Sequence, residues 1–330
     1  MQPLDISCSG AALVLGATGG IGGEVARQLR DSGWRVQALQ RGLASPVERR
    51  DGITWLRGDA MNRDDVRRAA QGCTVIVHAV NPPGYRRWAE LVLPMIDNTI
   101  AAAVAEQATI MLPGTVYNYG PDAFPLLQED APQHPQTRKG AIRVELERRI
   151  HGATAQGARA IVVRAGDFFG PRAGSSWFSQ GLVKPGRPVK TIRLPGDAGV
   201  GHAWSYLPDV ARTMVELLAR RSALPPFAAF HMAGHWDADG TQMAAAIGRV
   251  AARHGLTTAT AAFPWALVRL AAPFVPTLRE LLEMRYLWQQ PVRLDGARLA
   301  RALGAEPHTP LDEAIELTLR GLGCLPPTAP

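Results

Sequence analysis

Gly16, Gly19 and Gly22 recur at intervals of three, between an apolar run at 13–15 and a helical stretch at 24–29. A strand, a glycine turn and a helix N-terminus together form a pyrophosphate site. The first glycine allows the tight turn, the second lets backbone approach the phosphates, and the third lets helix pack on strand. Gly16, Thr18, Gly19, Gly20, Ile21 and Gly22 are therefore the candidate phosphate contacts, with free N–H groups and the helix dipole facing the anion. In such a site an acid ending the second strand binds the ribose 2′-OH of NAD. None occurs between residues 34 and 47, and Arg41 stands there instead. An arginine pairs with a 2′-phosphate, so the expected cofactor is NADP, with NAD as the alternative. Two further residues have suitable chemistry. His78 ends a buried apolar run, and Asp167 follows a later one. Each also has an ordinary structural reading, as a packed histidine and a turn cap.

The elements that must position these residues alternate along the chain. Strands are expected at 34–39, 53–56, 74–79, 109–112 and 159–164, and helices at 64–70, 91–107 and 141–155. Asn62 is the expected cap of the first of these helices. Apolar strands alternating with helices predict an α/β fold, a doubly wound parallel sheet of Rossmann type. From residue 172 glycine and proline become dense, and Trp177, Phe178 and Trp204 are candidates either for an apolar substrate wall or for a small core built by an irregular segment. The expected organisation is a dinucleotide-binding domain at 1–171 and a smaller, mostly helical substrate region at 172–330. Residues 205–234 return to the sheet.

Composition excludes several classes. The chain has 330 residues, 46% hydrophobic and 20% charged, with a formal net charge of +7. Only Lys139, Lys184 and Lys190 are lysines, so the basic excess is arginine, and no basic run exceeds two residues. That pattern argues against a nucleic-acid partner. Cys8, Cys73 and Cys324 are odd in number and far apart, which fits neither a disulfide framework nor a zinc site and points to a reducing, cytoplasmic setting. No signal pattern or run of membrane-spanning length is expected. The expected partner is a small-molecule substrate, with neither nucleic acid nor a membrane expected and a homodimer left open. The tail from 326 is expected to fray.

These motifs together resemble the extended short-chain dehydrogenase/reductases, the NAD-dependent epimerase/dehydratase group. The resemblance rests on Gly16-x-x-Gly19-x-x-Gly22, Gly58-Asp59, Val77-His78-Ala79, the segment from Val116 to Pro121, the segment from Arg164 to Pro171, and Tyr206-Leu207-Pro208-Asp209. It implies that Asp59 contacts adenine and that Ala79 and Val80 lie under the cofactor. It also implies a mechanism: a tyrosine moves a proton at a carbonyl or alcohol, a lysine four residues later binds the nicotinamide ribose and lowers the phenol pKa, and a Ser or Thr holds the same oxygen. Thr115 and Lys139 occupy the places of the Ser/Thr and the lysine. The tyrosine is absent: Pro135 stands four residues before Lys139. Tyr117, leaving the same strand end as Thr115, is the candidate replacement acid. The implied function is an NAD(P)-dependent oxidoreductase of a small carbonyl or alcohol with a nonstandard proton donor. A sugar-nucleotide epimerase or dehydratase and a non-catalytic NADP sensor are the alternatives.

Overall fold

Eight strands hydrogen-bond into one sheet in the computed structural model, which describes residues 10–82, 87–174 and 176–326. Cys8, the turn residue Pro83 and the tail from 327 lie outside the described residues. Across the sheet the strands run Phe227–His231, Arg159–Arg164, Thr109–Gly114, Val75–His78, Ala11–Leu15, Arg35–Gln40, Ile53–Arg57 and Val47–Arg50. All neighbours are parallel except the last pair. Ala11–Leu15 is buried at every position, as a central parallel strand with both faces covered must be. The chain first builds outward from that strand to one side, then returns and builds to the other through Val75–His78. The crevice where the direction reverses is where such folds bind ligands, beyond the carboxyl ends of the strands.

The helices fill both faces. Asn62 caps Arg63–Ala70 as expected, its Oδ1 accepting from the N–H groups of Asp64 and Asp65 at 2.9 and 3.1 Å. Such a cap contributes about 1 kcal/mol. One helix, Trp88–Glu106, is long and apolar enough to cross a membrane by length and composition, where the sequence reading expected none. Its Val92, Ile96 and Ala102 pack with Leu13, Ile76 and Ile110 of the sheet, the arrangement of a core helix.

The region after residue 172 holds more strand than expected. Thr191–Leu194 pairs with Ala259–Ala262, and His202–Tyr206 lies between Asp167–Phe169 and His235–Asp237. Helices Gln242–Arg253 and Leu311–Gly321 cover them. Trp177, Phe178 and Trp204 do not form a substrate wall: Phe178 and Trp204 are buried in this second core with Phe169, Ile247 and Leu319, and Trp177 packs against it.

A buried polar network ties the last two sheet strands together. Arg164 pairs with Glu147 and donates to the Tyr119 hydroxyl at 2.8 Å. His231 Nδ1 lies 3.1 Å from the Leu127 carbonyl oxygen and so donates, leaving Nε2 to accept near Tyr119 Oη at 2.9 Å. Burial first, then the Arg164 charge, pushes His231 down to about 3, and burial first, then Arg143, does the same to His78. An unfolded chain takes up these protons near pH 6.5 while the folded chain refuses them until about pH 3. Stability therefore falls as pH drops through that window, by up to about 1.4 kcal/mol per pH unit for each histidine. Glu306, raised by burial, acts in the opposite sense. We expect urea midpoints to fall between pH 6.5 and 4.5, and His231→Gln to flatten that slope. An unchanged slope in the variant would remove His231 from the account.

Candidate active site

The glycine turn is built by steric need. Gly16 has φ +89, and a Cβ there would lie 2.5 Å from the Ala79 carbonyl oxygen across the reversal point. A Cβ on Gly22 would lie 2.3 Å from the Gly16 oxygen, so this glycine serves helix packing and does not line the cleft. Gly19 differs: a Cβ would come no closer than 3.3 Å to protein, at the Gly16 oxygen. The 12-residue helix Gly20–Asp31 begins there with no side-chain cap and no acid in its first turn. Its opening N–H groups and dipole are thus left for an anion, which is what a pyrophosphate requires.

A cleft of about 1060 Å³ runs past this turn. Gly16, Thr18, Gly19, Gly20 and Ile21 line it, as do Ala79 and Val80. Arg41 and Asp59 line it too, following the adjacent sheet strands. Asp59 Oδ1 accepts from Met61 N at 2.9 Å, which fixes the loop. Gly114, Thr115 and Arg143 line the cleft from the other side of the reversal point. The cleft therefore accommodates a two-nucleotide ligand across the switch, and the residues fit a nicotinamide dinucleotide.

Two expected catalytic residues lie elsewhere. Thr115 lines the cleft, but Tyr117 does not; its ring packs against apolar clusters on both sides. Residues Val116–Asn118 form one turn of 3₁₀ helix, capped by Thr115 Oγ1 accepting from Tyr117 N at 3.3 Å, so Thr115 and Tyr117 are not on one extended strand. Lys139 is only 2% exposed and is paired with Glu280 and Glu283 from helix Pro276–Glu283, off the cleft lining. Asp167 contacts His202 at 2.8 Å and is likewise off the cleft. Tyr119 is fully buried and pushed up to about 12 by burial. Among the described residues, no tyrosine lines the cleft.

His78 and Arg143 line the cleft instead. The Thr99 hydroxyl donates to the Met95 carbonyl at 3.2 Å, so His78 Nδ1, 2.8 Å away, is the donor to Thr99 Oγ1. Depressed to about 3, His78 stays neutral at working pH and supplies no acidic proton. The Arg143 guanidinium sits over the Trp88 ring, 5.2 Å from its centroid. Sequence reasoning missed Arg143; the available signal was its place four residues after Lys139, on the same helix face.

The profile described as "NAD dependent epimerase/dehydratase family" matches residues 12–233, which contain the whole glycine turn and all of the large sheet except the start of its first strand. The chain belongs to that family. The family is NAD-dependent and its members are enzymes of epimerase, dehydratase or reductase type. A 2-alkyl-3-oxoalkanoate reductase from Shewanella oneidensis is 33% identical over 73 residues, 22% of this chain and 19% of that relative's length. Among solved structures, MoeE5 in complex with UDP-glucose and NAD superposes with a TM-score of 0.70 at 17% identity, covering 94% of this chain and 98% of that one. UDP-glucuronic acid 4-epimerase from Bacillus cereus in complex with NAD gives 0.69 at 16% identity, again over 94% and 98%. At that identity the likeness is one of fold.

Proposed function

We propose that the protein is an NADP-dependent oxidoreductase that reduces a carbonyl, or oxidises an alcohol, of a small molecule. The observation that carries this reading is the joint presence of Thr115 and Arg143 on the cleft that the glycine turn opens. The bound nicotinamide supplies the hydride acceptor or donor. The Thr115 hydroxyl, which donates to Asn118 Oδ1 at 3.3 Å in the free protein, turns to the substrate oxygen and holds it by a hydrogen bond, and the Arg143 cation stabilises negative charge as it develops there. Reduction adds a hydride to carbon and a proton to oxygen. With His78 neutral and Tyr117 off the cleft lining, water in the cleft delivers that proton. Phe168, Met95, Leu91 and Leu281 give the cleft apolar walls, which favour a substrate with an apolar body.

The sugar-nucleotide reading is the weaker one. It needs a second diphosphate clamp, and of Arg172, Arg187, Arg193 and Arg269 only Arg172 borders the cleft. It also needs a group that passes a proton both ways, and among the described residues no tyrosine lines the cleft for that role.

Cofactor choice tests the NADP half of the proposal. Arg41 is exposed at the cleft rim, and the second strand ends without an acid. Fluorescence titration is expected to show NADPH binding more tightly than NADH, by about tenfold or more for a charge-assisted phosphate pair. Arg41→Ala should erase most of the difference and leave NADH affinity nearly unchanged. Tighter NADH binding by the unmodified protein would rule the NADP assignment out.

A further inference from the structure

The three most exposed large apolar side chains of the described residues, Leu267, Leu270 and Phe274, lie close together in the chain, with Val275 beside them. Leu267 is 66% exposed, Leu270 74%, Phe274 84% and Val275 41%. They belong to the helix Trp265–Ala271 and the turn leading into helix Pro276–Glu283. Hydrogen bonds from Ala272 N to Val268 O and from Val275 N to Ala271 O carry the helical winding through the turn. Leu267, Leu270 and Phe274 therefore fall at i, i+3 and i+7, on one face. Trp265, Val268 and Ala272 share the same spacing on another face; all three are buried, Trp265 and Val268 in the second core. A helix apolar on every side is ordinarily buried on every side. Here one apolar face has no cover from the chain.

The charges of this segment are sorted by side. Its only acids, Glu280 and Glu283, turn inward and pair with Lys139. Arg269 and Arg279 are exposed. The outer surface is thus apolar and cationic, on a chain whose net charge is +7. A surface of that kind complements an anionic lipid interface, in which aromatic and aliphatic side chains enter the acyl boundary and arginines meet the head groups. We propose that residues 265–279 seat the protein on an anionic lipid surface, with Leu267, Leu270, Phe274 and Val275 entering it. Thr277 of this segment and Leu281, one turn further along the same helix, line the cofactor cleft, so seating brings the cleft to the lipid boundary. The docking does not depend on the reaction proposed above.

Sedimentation with phosphatidylcholine vesicles, prepared with and without phosphatidylglycerol, tests the proposal on the full chain. The expected result is binding to vesicles containing phosphatidylglycerol that weakens as salt is added. Phe274→Asp should lower the bound fraction about tenfold. Its thermal unfolding should match that of the unmodified protein, because the ring is 84% exposed. Arg269→Glu with Arg279→Glu should remove the preference for phosphatidylglycerol. No binding to either vesicle, or equal binding by Phe274→Asp, would overturn the proposal. So would a dimer in gel filtration that Phe274→Asp splits, since the face would then belong to a second copy. Equal binding to phosphatidylcholine alone would overturn the anionic assignment.

Discussion

Gly19→Val is expected to abolish nicotinamide dinucleotide binding in a protein that still folds. A Cβ at Gly19 meets protein only at 3.3 Å, at the Gly16 oxygen, so the branched side chain projects into the cleft. The displaced partner is the pyrophosphate, together with the hydrogen bonds it takes from the first helical turn. Losing several charge-assisted bonds at once costs well over the ~1.4 kcal/mol that makes a tenfold change in affinity, so binding should weaken at least about a hundredfold. The neighbouring glycines give the contrast. Gly16→Val would drive a side chain into the Ala79 backbone at 2.5 Å, in a left-handed conformation, and should cost folding as well. Titration of NADPH alongside circular dichroism distinguishes the two. Retained binding in folded Gly19→Val would mean that the turn is not the phosphate site.

Thr115→Val should lower turnover about a hundredfold while leaving NADPH affinity within a few-fold, the loss expected for one donor to a developing oxyanion. Arg143→Gln should lower turnover about tenfold or more by the same argument. Tyr117→Phe should change turnover little, since the ring packs away from the cleft. Lys139→Met should act on stability: it breaks a buried pairing with Glu280 and Glu283. Steady-state kinetics with small apolar ketones, read beside thermal melts, separates these effects. A hundredfold loss in Tyr117→Phe, or a folded Lys139→Met that binds NADPH but does not turn over, would return the site to a tyrosine–lysine mechanism.

The glycine turn and its place on the cleft were legible because their determinants are local. Strand, glycine spacing and helix start all lie between Ala11 and Asp31, and the clashes that fix Gly16 and Gly22 follow from that turn meeting the next strand end. Tyr117 and Lys139 were expected on the cleft and lie off it for two physical reasons. Strand alternation would put Thr115 and Tyr117 on the same side. The chain instead leaves the sheet at Gly114 and winds into a 3₁₀ turn, where about 120° per residue separates them. Lys139 was placed by a family pattern, but its partners come from residues about 140 positions later, which no local signal announces. The antiparallel edge strand Val47–Arg50 was a simpler omission. Asp51 and Gly52 both take positive φ, and an Asp-Gly pair between two short runs is the usual mark of a tight hairpin. The aromatic residues near 177 and 204 left a wall and a small core both open, because composition does not say which way rings point; the structure has the core.

A crystal structure of the unmodified protein grown with NADP tests the central claim most directly. The account predicts the pyrophosphate against the N–H groups at Gly20 and Ile21, the 2′-phosphate at Arg41, and the nicotinamide ring beside Thr115 and Arg143, with Tyr117 still packed away. A dinucleotide bound outside this cleft, or a nicotinamide directed away from Thr115 and Arg143, would contradict it.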